Sequence, residues 1–185
     1  SGGGPSAPPT TAPGPAVDRT VTGVGSVLII DDSGSMRWND PSNQRAQASK
    51  AFLTASDATD GTGIVKFTGS AVELSAFRRI STGSADLKSA LSGLKSDGGT
   101  DIGAGVAGGC STLQASPTAK NFGVLFTDGD GDYNDEAECF ASRKRPLFIF
   151  GLGSEPDDQL LTDIARSTGG EYRNLADVKN LVCEF

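Results

Sequence analysis

The chain has 185 residues, with 16 basic and 23 acidic side chains for a formal charge of −7, and it contains no histidine. That length suits one domain with a tail. Without histidine there is no Ser-His-Asp triad, no Cys-His pair and no His-ligated zinc, haem or non-haem iron. The acidic balance speaks against nucleic acid, which calls for a basic face. No apolar run reaches the ~18 residues that would span a membrane, and no secretory leader is read.

Residues 1–23 are rich in Pro, Gly and Thr and carry no apolar period, which predicts a disordered linker followed by one domain over 24–185. Three continuous apolar runs follow: Val27–Ile30 ending at Asp31, Gly123–Phe126 ending at Thr127-Asp128, and Leu147–Phe150 ending at Gly151. Strands buried on both faces read this way and belong to parallel sheets. Helical periods lie between and after them: Ala48, Ala51, Phe52 and Ala55; Leu87, Ala90, Leu91 and Leu94; Leu160, Leu161, Ile164 and Ala165; and a last helix at Leu175, Val178 and Val182. Helix starts are expected at Asp40-Pro41, at Ser84 and at Ser154-Glu155-Pro156-Asp157. Ile64–Phe67 and Ala71–Phe77 alternate around Thr68-Gly69-Ser70, a hairpin that adds one antiparallel edge strand. The expected architecture is a doubly wound α/β domain: a mostly parallel sheet with one antiparallel edge strand and helices on both faces.

The cysteines are Cys110, Cys139 and Cys183, with no CxxC spacing. They are either three buried thiols or one Cys110–Cys139 bridge plus a thiol; a bridge points to an oxidising compartment.

In open parallel sheets ligands bind at the carboxyl ends of the strands, near the switch in strand order. The first apolar run is followed there by Asp31-Asp32-Ser33-Gly34-Ser35-Met36, and the second by Thr127-Asp128-Gly129-Asp130. Between them Asp97-Gly98-Gly99-Thr100-Asp101-Ile102-Gly103 opens a helical segment. Carboxylate and hydroxyl oxygens without His or Cys suit a hard divalent cation such as Mg²⁺. With only one or two carboxylates bound, the ion keeps positive charge for an anionic oxygen from outside.

Asp31-x-Ser33-x-Ser35, with Thr100 and Asp128 downstream, resembles the metal-ion-dependent adhesion site of von Willebrand factor type A domains. The resemblance runs from about Val24 to Val182. It implies that Ser33 and Ser35 ligate the metal through their hydroxyls and that Asp31 and Asp128 bind it or hold its waters. Thr100 would ligate directly when a ligand is engaged and through water otherwise. The implied ion is Mg²⁺, with Mn²⁺ or Ca²⁺ as substitutes. The implied activity is cation-dependent protein binding or adhesion, not catalysis. The partner would be a protein or peptide offering a carboxylate, and the domain a monomeric part of a larger chain at the cell surface or outside the cell. Intracellular relatives leave a second location open, and the Gly/Ala/Thr-rich composition has a bacterial character. The alternative function is a structural module of a larger complex in which the metal only stabilises loops.

Two features depart from the family pattern. Asp32 is charged where an uncharged residue is usual; pointed at the metal it would weaken capture of an acidic partner, whereas strand alternation predicts an outward-facing side chain. Asp130, Asp132, Asp135, Glu136 and Glu138 crowd nine residues. They form no EF-hand, since the loop has Tyr133 where Gly is needed and Cys139 where Glu is needed. A solvated acidic loop is the expectation, and a second cation site the alternative. Met36 and Trp38 either line the rim or pack on the first helix, and Arg37 is the nearest cation.

Enzymatic readings find little support. Ser33-Gly34-Ser35 has neither a base nor a Ser-x-x-Lys pattern. The Gly-x-Gly pairs complete no dinucleotide or phosphate loop. Lys120 precedes the 123–126 strand, where a phosphotransferase would need a lysine after it.

Overall fold

A computed structural model describes residues 16–175. It contains β1 (Gly25–Asp31), α1 (Met36–Asn39), α2 (Gln44–Ala55), β2 (Gly61–Phe67), β3 (Ala71–Arg79) and α3 (Ile80–Ala90) with a 3₁₀ turn at Leu91–Gly93. There follow α4 (Ile102–Leu113), β4 (Asn121–Thr127), α5 (Glu138–Ala141), β5 (Leu147–Leu152), α6 (Asp158–Ser167) and β6 (Tyr172–Leu175). The six strands form one sheet in the order β3-β2-β1-β4-β5-β6. All neighbours are parallel except β2 and β3, the hairpin read from the alternation.

Alternation along β1 divides the core. Val27 and Ile29 face the layer of α4 and α6, with Val65, Phe67, Ile102, Val106, Leu125, Leu161 and Ile164. Leu28 and Ile30 face the layer of α2 and α3, with Ala48, Leu53, Ile64, Leu87, Val124 and Phe126. Every residue of β1 is buried, as a central strand covered on both sides must be. α4 lies very close to the sheet. A Cβ at Gly105 would stand 2.4 Å from the Phe67 ring, and one at Gly109 would stand 2.3 Å from Cδ1 of Ile29. The two glycines, one helical turn apart, let the helix approach the sheet closely and bring its N-terminal loop toward the end of β1.

Several boundaries differ from the sequence reading. α2 starts at Gln44, because Asn43 adopts a left-handed φ of 54°. Asp40 still performs the capping chemistry from four residues upstream, accepting the N–H groups of Gln44 (2.7 Å) and Arg45 (3.1 Å). α3 begins at Ile80, ahead of Ser84. α6 is capped by Asp157, whose carboxylate accepts the Leu160 N–H, while Ser154 lies outside the helix. The packed domain also reaches back before Val24. Val21 is 2% exposed in the core, and Asp18 pairs through its backbone with Ala115 and through its carboxylate with the Arg79 amide. One valine in a Pro/Gly/Thr context is too weak a pattern to mark that anchor. Leu175 ends a strand rather than starting a helix; Val178, Val182 and Cys183 lie outside the described residues.

Cys110, on α4, is bridged to Cys139, on α5, across 29 residues of sequence. Of the two cysteine readings, the bridge is the one found. By loop-closure entropy a bridge of this span stabilises the fold by about 3–4 kcal/mol. A Cys110→Ala/Cys139→Ala double variant is therefore expected to unfold at lower urea, with an m-value that is larger because the unfolded chain expands, and with a loss of about 3 kcal/mol by linear extrapolation. An unchanged midpoint would show that the bridge does not constrain the unfolded chain.

Candidate metal-binding site

β1 and β4 are adjacent, with Ile30 beside Phe126. The chain leaves β1 toward β2 on one side and leaves β4 toward β5 on the other, which is the switch point where a crevice opens. Asp31 and Asp128 therefore arrive side by side at the carboxyl edge of the sheet. Both are buried, at 0% and 4% exposure. Asp31 Oδ1 accepts the Ser33 N–H at 2.9 Å, and its Oδ2 accepts the Thr127 hydroxyl at 2.7 Å. The Ser33 and Ser35 hydroxyls are 3.1 Å apart, and Ser35 donates to Asp128 Oδ2. Asp128 Oδ2 also accepts Nδ2 of Asn39 at 3.0 Å, and its Oδ1 accepts the Asp130 N–H at 3.1 Å.

Thr100 sits in the neighbouring loop. That loop is tied to the first by Gly34 N–H to Gly98 carbonyl (3.1 Å) and to the third by Asp132 N–H to Thr100 carbonyl (3.2 Å). The structure thus joins Asp31, Ser33, Ser35 and Asp128 in one hydrogen-bonded set and brings the Thr100 loop against it. Among the described residues, no hydrogen bond links the Thr100 hydroxyl to the other four, and no Lys or Arg forms an ion pair with Asp31 or Asp128. Two buried carboxylates and neighbouring hydroxyls, with no protein cation against the carboxylates, are a donor set that fits a hard divalent ion.

Asp32 turns away from this set, as alternation requires, yet it does not face solvent. It is 1% exposed and enters an ion-pair network with Arg45 and Lys66 on the α2 side of the sheet. The sequence reading lacked the buried arginine that makes this placement tolerable. Met36 is fully buried in the α2-side core, whereas Trp38 is 70% exposed at the rim, and Arg37 is held by Asp97 at 3.2 Å. A cleft of about 350 Å³ opens beside the set, walled by Ser35, Trp38, Asp128, Asp130, Glu155 and Asp157. The acids from Asp130 to Glu138 do not assemble: among the described residues no three His, Cys, Asp or Glu side chains are placed to hold a cation together. Asn39 and Thr127 were not singled out from sequence. Asn39 lies one turn beyond Ser35, which is the signal that could have found it.

Burial, with the Asp128 charge adding to it, pushes the Asp31 carboxyl up to about 6, against the lowering by its hydrogen bonds to Ser33 and Thr127. A carboxyl whose folded value lies above its unfolded one costs stability once it ionises. That cost is absent below the unfolded value near 4 and complete above about 6. Asp31→Asn, assayed in chelator, is therefore expected to be more stable than the parent at pH 7.5, by about 1–3 kcal/mol at 1.36 kcal/mol per unit. The advantage should fade as pH falls from 6 toward 4. Equal or lower stability at pH 7.5 in urea titrations would show that the carboxylate is not strained there.

The family model of the von Willebrand factor type A domain matches residues 26–130, more than half of the chain. Among curated proteins, none matches this chain in sequence. Among solved structures, a von Willebrand factor type A protein from Catenulispora acidiphila is similar at a TM-score of 0.75 and 22% identity, over 87% of this chain and 40% of that one. An aerotolerance-related membrane protein from Bacteroides fragilis is similar at a TM-score of 0.68 and 17% identity, over 88% of this chain and 96% of that one. The pilus adhesin SpaC from Lactobacillus rhamnosus GG gives a TM-score of 0.70 and 16% identity, over 92% of this chain and 30% of that one. The chain thus spans well under half the length of the first and third of these proteins, and at such identities the likeness is one of fold. With the family model laid over the strand-end carboxylates and the doubly wound sheet, the chain belongs to the von Willebrand factor type A domain family.

Proposed function

We propose that this domain binds a Mg²⁺-type ion through Asp31, Ser33, Ser35, Thr100 and Asp128 and uses it to capture a carboxylate on a partner protein or peptide. The observation that carries the reading is the pair of buried carboxylates, Asp31 and Asp128, hydrogen-bonded with Ser33 and Ser35 and out of contact with any described cation. When bound, the ion would supply a positive centre able to take one further anionic oxygen. The chain's own groups do the rest. Asn39 and the Asp130 amide orient Asp128, Thr127 and the Ser33 amide orient Asp31, and the cleft beside Trp38 receives the partner. Mn²⁺ and Ca²⁺ are the substitutes. Ser35 donates to the Asp128 carboxylate, and the chain has no histidine to relay a proton from it, so the reading is binding rather than catalysis.

A surface or extracellular setting agrees with the Cys110–Cys139 bridge and with the pilus adhesin among the similar folds. Among the described residues, no helix is long and apolar enough to cross a membrane.

Calorimetric titration of the metal-stripped chain with Mg²⁺, Mn²⁺ and Ca²⁺ tests the reading. One saturable site is expected, lost in Asp128→Ala while the circular dichroism spectrum is kept. A glutamate-containing peptide should then raise the apparent Mn²⁺ affinity, because linkage makes metal and carboxylate strengthen each other equally. Metal binding that survives Asp128→Ala would overturn the site. Metal binding that raises the melting temperature but is indifferent to the peptide would favour the structural-module alternative.

A further inference from the structure

The buried network behind the site has more contacts than charge neutralisation requires. Asp32 Oδ1 accepts the N–H groups of Lys95 and Ser96, each at 2.8 Å, and Nη2 of Arg45 at 3.4 Å; Oδ2 accepts Nζ of Lys66 at 3.1 Å. The Asp32 carbonyl accepts the Asp97 N–H at 2.9 Å. Arg45, fully buried, reaches from α2 to Asp40 Oδ2 (2.8 Å) and to the Ser96 hydroxyl (2.9 Å). Ser96 adopts a left-handed φ of 54°, a conformation that a non-glycine residue holds only where its surroundings impose it. Three consecutive residues, Lys95, Ser96 and Asp97, are thus fastened to Asp32, which directly follows Asp31 and precedes Ser33. Gly98 is fastened to Gly34, and Thr100 follows two residues later.

The energetics argue against a role in stability alone. Buried ion pairs seldom stabilise a fold more than apolar residues of similar volume. Here Arg45 Nε is a buried polar atom without a partner, so even the hydrogen bonding is incomplete. What such a cluster does supply is register. Its charges are matched internally, Asp32 and Asp40 against Arg45 and Lys66, so it leaves the charge of Asp31 and Asp128 uncompensated.

We infer that Asp32 and Arg45 are positioning residues that set the distance between the Ser33/Ser35 loop and the Thr100 loop, and through it the cation affinity of the site. This rests on the metal-binding reading above. Asp32 cannot reach the ion itself, since alternation points it to the opposite face of the sheet. It acts through the Lys95 and Ser96 amides, and Arg45 holds Asp32 and Ser96 from behind.

The test compares Asp32→Asn, Asp32→Ala and Ser96→Ala in the full chain. Asp32→Asn keeps an oxygen for the two amides and gives up the charge; Asp32→Ala gives up both; Ser96→Ala removes only the hydroxyl held by Arg45. In chelator, hydrogen exchange is expected to rise at residues 95–101 in Asp32→Ala while β1, β4 and β5 keep their protection. In Mn²⁺ titrations the dissociation constant should rise about 10–100-fold in Asp32→Ala, the range seen when groups that orient metal ligands are removed, and less in Asp32→Asn. Combined with Thr100→Ala, the Asp32→Ala effect should shrink, because the loop it positions no longer carries the hydroxyl. Should Asp32→Ala fail to fold, Asp32→Asn and Ser96→Ala carry the comparison. Unchanged Mn²⁺ affinity in a folded variant, or exchange that rises across the whole sheet, would overturn the inference. A parent chain whose Mn²⁺ binding ignores Asp128→Ala would overturn the metal reading instead, and the exchange pattern would still decide whether Asp32 anchors the loop.

Discussion

Two carboxylates buried next to each other, with no protein cation against either, are the constraint around which this structure is organised. Asp31 ends β1 and Asp128 directly follows the last residue of β4, and the parallel register of the two strands brings both to the same buried edge. Hydrogen bonds from Thr127, Ser33, Ser35, Asn39 and the Asp130 amide spread their charge without cancelling it. A fold selected for stability alone would place neutral or apolar side chains there. The chain does own a fully buried arginine behind this edge, Arg45, and commits it to Asp32 and Asp40. The negative charge at the crevice is thereby kept available, at a cost to the metal-free fold that appears as the raised carboxyl of Asp31.

Three loops have to meet for such a crevice to work, and each is placed by a different device. The first is placed by the strand register of β1. The second is placed by α4, which comes close to the sheet through Gly105 and Gly109, and by the amides of Lys95 to Asp97 on Asp32. The third is placed by β4, by the short bridge between Asp101 and Asp132, and at its far end by the Cys110–Cys139 bond to α4. Loops carry little packing energy of their own, so a site made of loops gets its precision from such anchors in the rigid frame.

Much of this was legible in the sequence because buried parallel strands have a direct signature. Val27–Ile30, Gly123–Phe126 and Leu147–Phe150 became β1, β4 and β5, and the alternation around Thr68-Gly69-Ser70 became the β2–β3 hairpin. The residues after the first two runs point to the loops of Asp31, Ser33, Ser35 and Asp128, whereas Thr100 comes from the segment between those runs and from the family resemblance. Most of the misses depend on a partner distant in sequence, and one on a local left-handed turn. Asp32 reads as an exposed acid unless Arg45, 13 residues on, is known to be buried beneath it. Asp40 reads as the residue next to a helix start, yet it caps from four residues away because Asn43 takes a left-handed turn between them. Val21 reads as linker until the core it enters exists. Leu175 has the spacing of a helix but pairs as a strand beside Leu152.

The charge surrounding the crevice bears on how a partner would be caught. The cleft beside Asp128 is rimmed by Asp130, Glu155 and Asp157, and the nearby Arg37 is engaged with Asp97. With a chain charge of −7, a carboxylate approaching this face meets repulsion over the last Debye length, about 8 Å at physiological salt. On the proposed reading only a cation seated between Asp31 and Asp128 reverses the sign of that field, and only locally. Affinity for an acidic group would then depend wholly on the ion, and selectivity would come from whatever else the partner lays against Trp38, the large exposed aromatic at the rim. Tryptophan in that position offers a rigid, half-apolar contact that loses little conformational entropy on binding. On that reading the division of labour would be physical: the ion would account for the attraction, while the acidic rim and the indole would decide which carboxylates are admitted to it.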